Sequence, residues 1–206
     1  MLKVLGRKTS SNVQNVLVAL TETGTPFERE DIGGEFGGND KPAYLAMNPN
    51  GLVPTIVDGD HVQWESCSCI RYVGAKYGKD PFYPTDPGKR GDAEKWMDWH
   101  LSTTSPAIRP VFWGMVRTPP EKRDMKAIGK AVVVLGGKFG ILDRHLAGRK
   151  FINGDALSIA DIPLGIITYR WFAMDIQRPE LPNLKAWFDR LAQRDSFKTH
   201  VLHPLI

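Results

Sequence analysis

The spacing of apolar positions predicts two regular elements at the start of the chain. Leu2–Leu5 is a short apolar run that ends at Gly6, and it predicts a first β-strand. Along Val13–Glu22 apolar residues recur at the spacing of an amphipathic helix. Asn12 is a residue type that caps helix starts, and Gly24 is one that follows helix ends. The chain therefore opens with a strand followed by a helix.

The same reading continues to Gly78 and predicts a small mixed sheet surrounded by helices. Asp58-Gly59 is a strong hairpin turn signal, and strand-like runs flank it on both sides. Together with the first two elements, the order is β-α-β-α-β-β-α. The later elements are predicted as a strand at 26–32, a short helix at 40–47, strands at 53–57 and 61–64, and a helix at 65–77.

Prolines then mark a change of pattern. Three of them fall within residues 80–88 and predict a semi-rigid linker between two domains. Beyond the linker strand signals stop and helical spacing dominates. We expect helices at 89–116 (interrupted by Pro106 and Pro110), 121–146, 158–174 and 182–194. The predicted organisation is an α/β domain at 1–79, a linker at 80–88 and an all-α domain at 89–206.

Composition narrows the functional classes. The chain has 206 residues, 24 % of them charged, with a formal net charge of +4. Basic and acidic residues are interspersed, which does not favour nucleic acid as a partner. No apolar run reaches the ~18 residues of a membrane span, and the N-terminus does not have the pattern of a signal peptide. With only Cys67 and Cys69 as cysteines, we expect no disulfide framework and a cytoplasmic location.

The most informative stretch is Asn48-Pro49-Asn50-Gly51-Leu52-Val53-Pro54, followed closely by Glu65-Ser66. It combines a turn, a proline that opens a strand, and an acid–hydroxyl pair at a helix start. Such an arrangement offers main-chain and side-chain hydrogen bonds to a small peptide. With the Ser158-Ile159-Ala160-Asp161 capping box and the two-domain pattern, it resembles the cytosolic glutathione S-transferase family. The resemblance covers almost the whole chain.

The resemblance implies a thioredoxin-like N-terminal domain that binds glutathione. Pro54 would form a cis peptide bond, and Val53 would pair main chain to main chain with the cysteinyl part of glutathione. Glu65 and Ser66 would hold the γ-glutamyl group, since a carboxylate suits its ammonium and a hydroxyl with free amides suits its carboxylate.

The partner of the glycyl carboxylate stays open. Where members of the family often have a cation just before the Val-Pro pair, this chain has Leu52. Lys41, Asn39 or Asn50 would then supply the donor. The set implied for glutathione binding is therefore Lys41, Asn50, Leu52, Val53, Pro54, Glu65 and Ser66.

Hydroxyl groups before the first helix are the candidates for activating the glutathione thiol. The resemblance assigns this role to Ser10, with Ser11 and then Thr9 as alternatives, and Asn12 would donate a second hydrogen bond to the sulfur. A free thiol of this kind has a pKa near 8.5, so a donor near a helix start favours the thiolate. The pattern resembles serine-type bacterial, theta-like or zeta-like members.

The acceptor substrate of such an enzyme is a hydrophobic electrophile bound between the domains, and the first long helix offers His100 and Trp113 as contacts. We expect Cys67 and Cys69 to be buried packing residues. His200 and His203 have a metal-like spacing, but a solvated tail is the simpler interpretation, so no metal is expected. The resemblance also implies a homodimer.

Three functions remain in competition. The first is glutathione transfer to an electrophile. The second is a glutathione-dependent isomerisation of the zeta, maleylacetoacetate-isomerase type, although Asn12 stands where that class has a cysteine, or the reduction of a disulfide. The third is a non-catalytic binding protein that retains the fold.

Overall fold

The computed structural model describes all 206 residues. Its N-terminal part contains a four-stranded mixed sheet with the strand order β2-β1-β3-β4. β1 is parallel to β2 and antiparallel to β3, and β3 and β4 form the predicted hairpin. The strands are β1 (Leu2–Leu5), β2 (Phe27–Glu30), β3 (Thr55–Asp58) and β4 (His61–Trp64).

Three helices complete this part, and they occur in the predicted order. α1 (Ser11–Glu22) and α3 (Ser66–Tyr77) pack against each other, while α2 (Pro42–Leu45) is a single short turn before the Asn48 loop. The buried face of α1 is apolar from Val13 to Leu20, except for Gln14 and Asn15. The order β-α-β-α-β-β-α is therefore confirmed.

The remaining chain is helical. It comprises α4 (Pro87–Trp99), α5 (Ser105–Phe112), α6 (Met125–Leu146), α7 (Asp161–Ala173), α8 (Pro182–Ala192) and α9 (Asp195–His200). α7 is the central helix, because all of its first eight residues are buried. The fold class is confirmed: a thioredoxin-like α/β part is followed by an all-α part. None of the helices has both the length and the apolar character that a bilayer crossing requires.

Several predicted helix starts were wrong by a few residues. α1 begins at Ser11 with Ser10, rather than Asn12, in the cap position. α4 begins inside the predicted linker, since the Asp86 carboxylate accepts the Lys89 N–H at 2.8 Å and caps the helix there. α6 begins at Met125 rather than residue 121, because Asp124 caps it in the same way. In α4 and α6 an aspartate side chain takes a free amide and defines the first turn.

The prolines of the first long helix do not end it. The chain stays helical from Pro87 to Arg117, but its turns widen to π-helix at His100–Thr104 and Trp113–Arg117. Pro106 and Pro110 both lie in α5, and neither has an N–H to donate to the preceding turn. The wide turns on either side of α5 are where a proline-bearing helix can accommodate the lost hydrogen bonds.

Half of the capping box predicted before α7 is present, because the Asp161 carboxylate bonds back to the Ser158 N–H. Ser158 does not cap the helix; its N–H and Oγ–H both donate to the Asp161 carboxylate, at 2.8 and 3.0 Å. Asp161 also accepts the Ile152 N–H and the Trp187 Nε1–H. Asp155, just before this box, is a surface residue whose side chain is 88 % exposed. Asp161 is thus the residue that ties the loop before α7 to α8.

Candidate functional site

The loop from Asn48 to Pro54 presents a free piece of main chain. The Val53–Pro54 peptide bond is cis, as expected. Neither the N–H nor the C=O of Val53 has a hydrogen-bond partner within the chain. An unpaired donor and acceptor on one residue are suited to pairing with an extended peptide.

Three buried side chains hold this loop in place. The Asn48 Nδ2 donates to the Leu52 carbonyl at 2.8 Å and to the Thr55 Oγ1 at 3.1 Å. The Tyr44 hydroxyl donates to the same Leu52 carbonyl at 2.6 Å and accepts from Thr55 at 2.9 Å. Sequence reasoning identified the loop but not this support. The sequence shows a polar residue, Asn48, within the motif. It does not show that this residue is buried, because burial depends on the tertiary fold.

Glu65 and Ser66 stand at the start of α3, close to this loop. Glu65 has a φ of 66°, a left-handed conformation that is unfavourable for a residue with a side chain. Its carboxylate is exposed and makes no hydrogen bond. Ser66 is buried, and its Oγ accepts from the Asn15 Nδ2 of α1 at 3.3 Å. The first-turn amides of α3 have no acceptor, so the site offers a free carboxylate beside free donors.

The candidate partners of the glycyl carboxylate differ in the contacts that they already make within the chain. The Asn39 Nδ2 donates to the Gly51 carbonyl at 2.7 Å, and the Asn50 Nδ2 donates to the Asn48 Oδ1 at 3.3 Å. Lys41 is exposed and forms no ion pair within the chain. The Leu52 side chain is exposed and apolar. Lys41 is therefore the one cation among these residues that is available to a carboxylate.

The loop between β1 and α1 lies beside Val53. A Cβ built on Gly6 would lie 2.5 Å from Val13 and 3.1 Å from the Val53 Cβ, so this close approach requires glycine. Ser10 follows in the cap position with extended backbone angles, and its hydroxyl does not cap the helix. The hydroxyl is consequently free to donate elsewhere. The structure thus brings the Ser10 loop, the Val53 loop and the start of α3 together.

A small cavity joins this region to the helical part. It has a volume of about 50 Å³ and is lined by Ser11, Asn12, Asn15 and, from the helical part, His100 and Arg170, among others. Asn15 is 2 % exposed, and its Oδ1 has no partner. Of the predicted acceptor residues, His100 is therefore brought beside the thiol-activating candidates.

His100 and Trp113 differ in their placement. His100 is 8 % exposed, its Nδ1 lies 3.0 Å from the Thr104 Oγ1, and burial lowers its pKa to about 4. Trp113 is 54 % exposed, with the Arg109 guanidinium 5.9 Å from its ring, and it lines neither this cavity nor the larger one described next. The two residues predicted to contact the acceptor, His100 and Trp113, therefore do not line the same cavity.

Sequence reasoning missed a group of arginines at the junction of the two parts. Arg170 of α7 lines the small cavity and also a larger one of about 300 Å³, which Thr9 borders as well. Burial, together with the positive charges of Arg117 and Arg7, lowers the pKa of Arg170 to about 10. No sequence motif marks these three residues, since they come from separate elements.

The two cysteines are buried and unpaired with each other. Burial raises the pKa of Cys67 to about 11 and that of Cys69 further still. Both thiols therefore stay protonated, which is consistent with a packing role. No cluster of three or more His, Cys, Asp or Glu side chains could hold a metal ion.

Comparison with known proteins gives the family of the chain. Family models described as "Glutathione S-transferase, N-terminal domain" and "Glutathione S-transferase, C-terminal domain" match residues 9–76 and 103–195. Glutathione S-transferase GstB of Escherichia coli is 39 % identical over 100 % of both chains. A theta class glutathione S-transferase of Xanthomonas axonopodis pv. citri, solved with glutathione bound, is 42 % identical with a TM-score of 0.94, covering 100 % of this chain and 99 % of its own.

More distant relatives agree with this. Glutathione S-transferase F9 of Arabidopsis thaliana is 31 % identical, over 98 % of this chain and 96 % of its own. Because both family models match and full-length relatives exceed 30 % identity, the chain belongs to the glutathione S-transferase family.

Proposed function

We propose that this chain is a theta-like, serine-type glutathione S-transferase that forms the glutathione thiolate and directs it at a bound electrophile. The observation that carries the proposal is the unpaired Val53 main chain beside the Glu65 carboxylate and the free amides of α3. The bacterial theta class relative, whose structure contains glutathione, supports the choice of peptide and of subclass.

In this proposal each part of glutathione has its own partner in the protein. Glu65 would pair with the γ-glutamyl ammonium, while Ser66 and the α3 amides would bind its carboxylate. Val53 would pair with the cysteinyl main chain, and Lys41 would bind the glycyl carboxylate. This arrangement leaves the thiol next to the start of α1.

Activation of the thiol falls to Ser10. Its hydroxyl is free of any capping bond, and it lies where the amides of α1 also favour a negative charge. Donation to sulfur would lower the thiol pKa, and each unit of that change needs about 1.4 kcal/mol of differential stabilisation. Asn12 would donate a second hydrogen bond. The thiolate then attacks the electrophilic carbon, the S–C bond forms, and the leaving group departs with its electron pair.

Two further properties belong to the same proposal. The pair of buried, protonated thiols suits a reducing compartment, so we place the protein in the cytoplasm. Members of this family typically associate as homodimers, and we propose the same here. The domain division is proposed as 1–79 and 89–206, joined by the segment that contains Pro81 and Pro84.

A matched pair of serine variants tests the thiol assignment. We expect Ser10→Ala to raise the pKa of the thiol of bound glutathione by about one unit and to lower kcat/KM about tenfold. Glutathione affinity should change little. Ser11→Ala is the control and should resemble wild type. The measurements are the ultraviolet absorbance of the thiolate against pH and turnover of 1-chloro-2,4-dinitrobenzene.

Other outcomes would support a different activating residue or a different function. A loss confined to Ser11→Ala would transfer the activating role to Ser11. Turnover of hydroxyethyl disulfide without turnover of the aryl halide would identify a reductase. Absence of glutathione binding in wild type would refute the proposal as a whole.

A further inference from the structure

The larger cavity at the junction of the two parts is lined by apolar, cationic and neutral polar side chains and by no aspartate or glutamate. It is bounded by Lys8 and Thr9, by Phe112 of α5, by Tyr169 and Arg170 of α7, and by the last residues of the chain. A cavity of about 300 Å³ is large enough for a small aromatic molecule. Its position beside the Ser10 loop makes it the place where an acceptor would meet the thiolate.

Arg170 is a cation without an anionic partner. Its guanidinium lies 4.2 Å from the centre of the Phe112 ring, and the Arg117 guanidinium lies 5.9 Å from the same ring. The ion pairs of the chain all lie elsewhere, so Arg7, Arg117 and Arg170 have no carboxylate of the protein bound to them.

Such an arrangement is unfavourable in the empty protein. Burial and the charges of Arg117 and Arg7 both oppose the positive charge of Arg170, and the Phe112 ring offsets only part of this cost. An anion entering the cavity would remove the repulsion. A guanidinium also has the planar, two-pronged geometry that matches a carboxylate.

We propose that the acceptor of this transferase is an electrophile that carries a carboxylate, bound by Arg170 with its apolar part against Phe112. The inference rests on the proposed function and specifies its substrate class. Arg170 also borders the small cavity that contains Ser11 and Asn12, so a molecule held there lies within reach of the thiol. For an aryl chloride, the thiolate forms the S–C bond and chloride leaves with the electron pair.

Glutathione itself is the competing explanation, because its thiolate and its carboxylates are also anions. If Arg170 served the thiolate, its loss would raise the thiol pKa and slow every acceptor equally. If it served the acceptor, its loss would slow only acceptors that carry a negative charge. The two roles are therefore distinguishable with one pair of substrates.

The test compares 4-chloro-3-nitrobenzoate with its neutral analogue 4-chloro-3-nitrobenzamide, each corrected for its uncatalysed rate with glutathione. We expect wild type to favour the acid. Arg170→Met should lower kcat/KM for the acid about tenfold or more, and that for the amide less than about threefold, since a charged hydrogen bond is lost only with the acid. Arg144→Met, which removes an exposed arginine of α6, is the matched control and should leave both values unchanged.

Wild type alone provides a second measurement that does not depend on how the variant folds. Benzoate should inhibit turnover of 1-chloro-2,4-dinitrobenzene competitively with the aryl halide and far better than benzamide does. Equal inhibition by the two, or no preference for the acid substrate, would overturn the inference. An equal decrease in kcat/KM for both substrates in Arg170→Met, with a raised thiol pKa, would also overturn it. That result would show that Arg170 stabilises the glutathione thiolate instead. Efficient turnover of both substrates without discrimination refutes only this inference, whereas absence of glutathione binding refutes the proposed function itself.

Discussion

Single residues in the candidate site divide into those with accessible, unpaired polar groups and those that hold the surrounding loops in position. Glu65, Lys41 and the Ser10 hydroxyl are accessible and have no partner, so their interactions are available to a ligand. Asn48 and Asn15 are 2 % exposed and hold the loop and Ser66 in place. The first group could be found from motifs. The second could not, because an asparagine in a sequence does not reveal whether it will be buried.

The buried His100 predicts how stability depends on pH. Its pKa is lowered from 6.5 to about 4 because the imidazolium would be buried. The unfolded chain therefore takes up this proton at a higher pH than the folded protein does. As the pH falls from about 6.5 towards 4, the free energy of unfolding decreases, by about 2–3 kcal/mol from this residue. Above pH 7 the contribution disappears.

We expect His100→Gln to remove this part of the acid sensitivity. Urea unfolding at pH 7 and pH 4.5 should show a smaller decrease for the variant than for wild type. His61→Gln is the control, since His61 is exposed, and it should keep the wild-type decrease. Parallel decreases in His100→Gln and wild type would contradict the buried, uncharged state of this ring.

At the scale of elements, hydrophobic periodicity predicted which helices and strands are present, but it did not predict where several of them begin. The strands and helices of residues 1–78 follow from hydrophobic spacing and turn signals. The helix starts at Pro87 and Met125 depend on which of several polar residues forms the cap, a choice made by three-dimensional packing. The π-helical turns and the six-residue α9 have no periodic signature, so hydrophobic spacing could not predict them.

The loop before α7 gives the clearest prediction at this scale. Asp161 is fully buried and accepts hydrogen bonds from the main chain of Ile152 and Ser158, the Ser158 hydroxyl and the Trp187 indole. Asp161→Asn would place an amide N–H₂ against one of these donors. We expect the free energy of unfolding to fall by about 3–4 kcal/mol, because a buried network loses an acceptor.

Asp155→Asn is the matched control for this prediction. Asp155 lies in the same loop, but its side chain is 88 % exposed, with Lys150 at 3.6 Å. Its substitution should change stability by less than about 0.5 kcal/mol. Urea unfolding of the two variants measures how much each aspartate contributes to the free energy of unfolding. Equal losses would show that the network around Asp161 does not hold the loop.

For the whole molecule, α1 is the element that both parts share. It packs against α3 on the N-terminal side and against α7 and α9 on the helical side. The proposed glutathione groups lie around its start, and Arg170 approaches from α7, so the geometry of the site depends on how the two parts are held together. Besides apolar packing, two polar contacts hold the far end of α1: the Thr21 Oγ1 lies 2.9 Å from the His200 Nε2 of α9, and Glu22 makes the second contact.

The Glu22 contact is a partly buried ion pair with Arg194, in the turn before α9. The Arg194 Nε and Nη2 donate to the two Glu22 carboxylate oxygens at 2.7 and 2.6 Å, and the Ser196 Oγ also donates to it. The Glu22 side chain is only 9 % exposed, so solvent screens the pair weakly. Glu22→Gln should leave the Arg194 guanidinium without its anion and lower the free energy of unfolding by about 2–3 kcal/mol.

A control on the surface separates this effect from a general loss of charge. Lys185 and Asp189 form an exposed pair one helical turn apart, with both side chains 54 % exposed. Asp189→Asn should cost less than about 0.5 kcal/mol, because water and entropy offset most of such a pair. Thermal or urea unfolding of the two variants measures the difference. If Glu22→Gln cost no more than Asp189→Asn, then apolar packing around α1, and not this ion pair, would join the two parts.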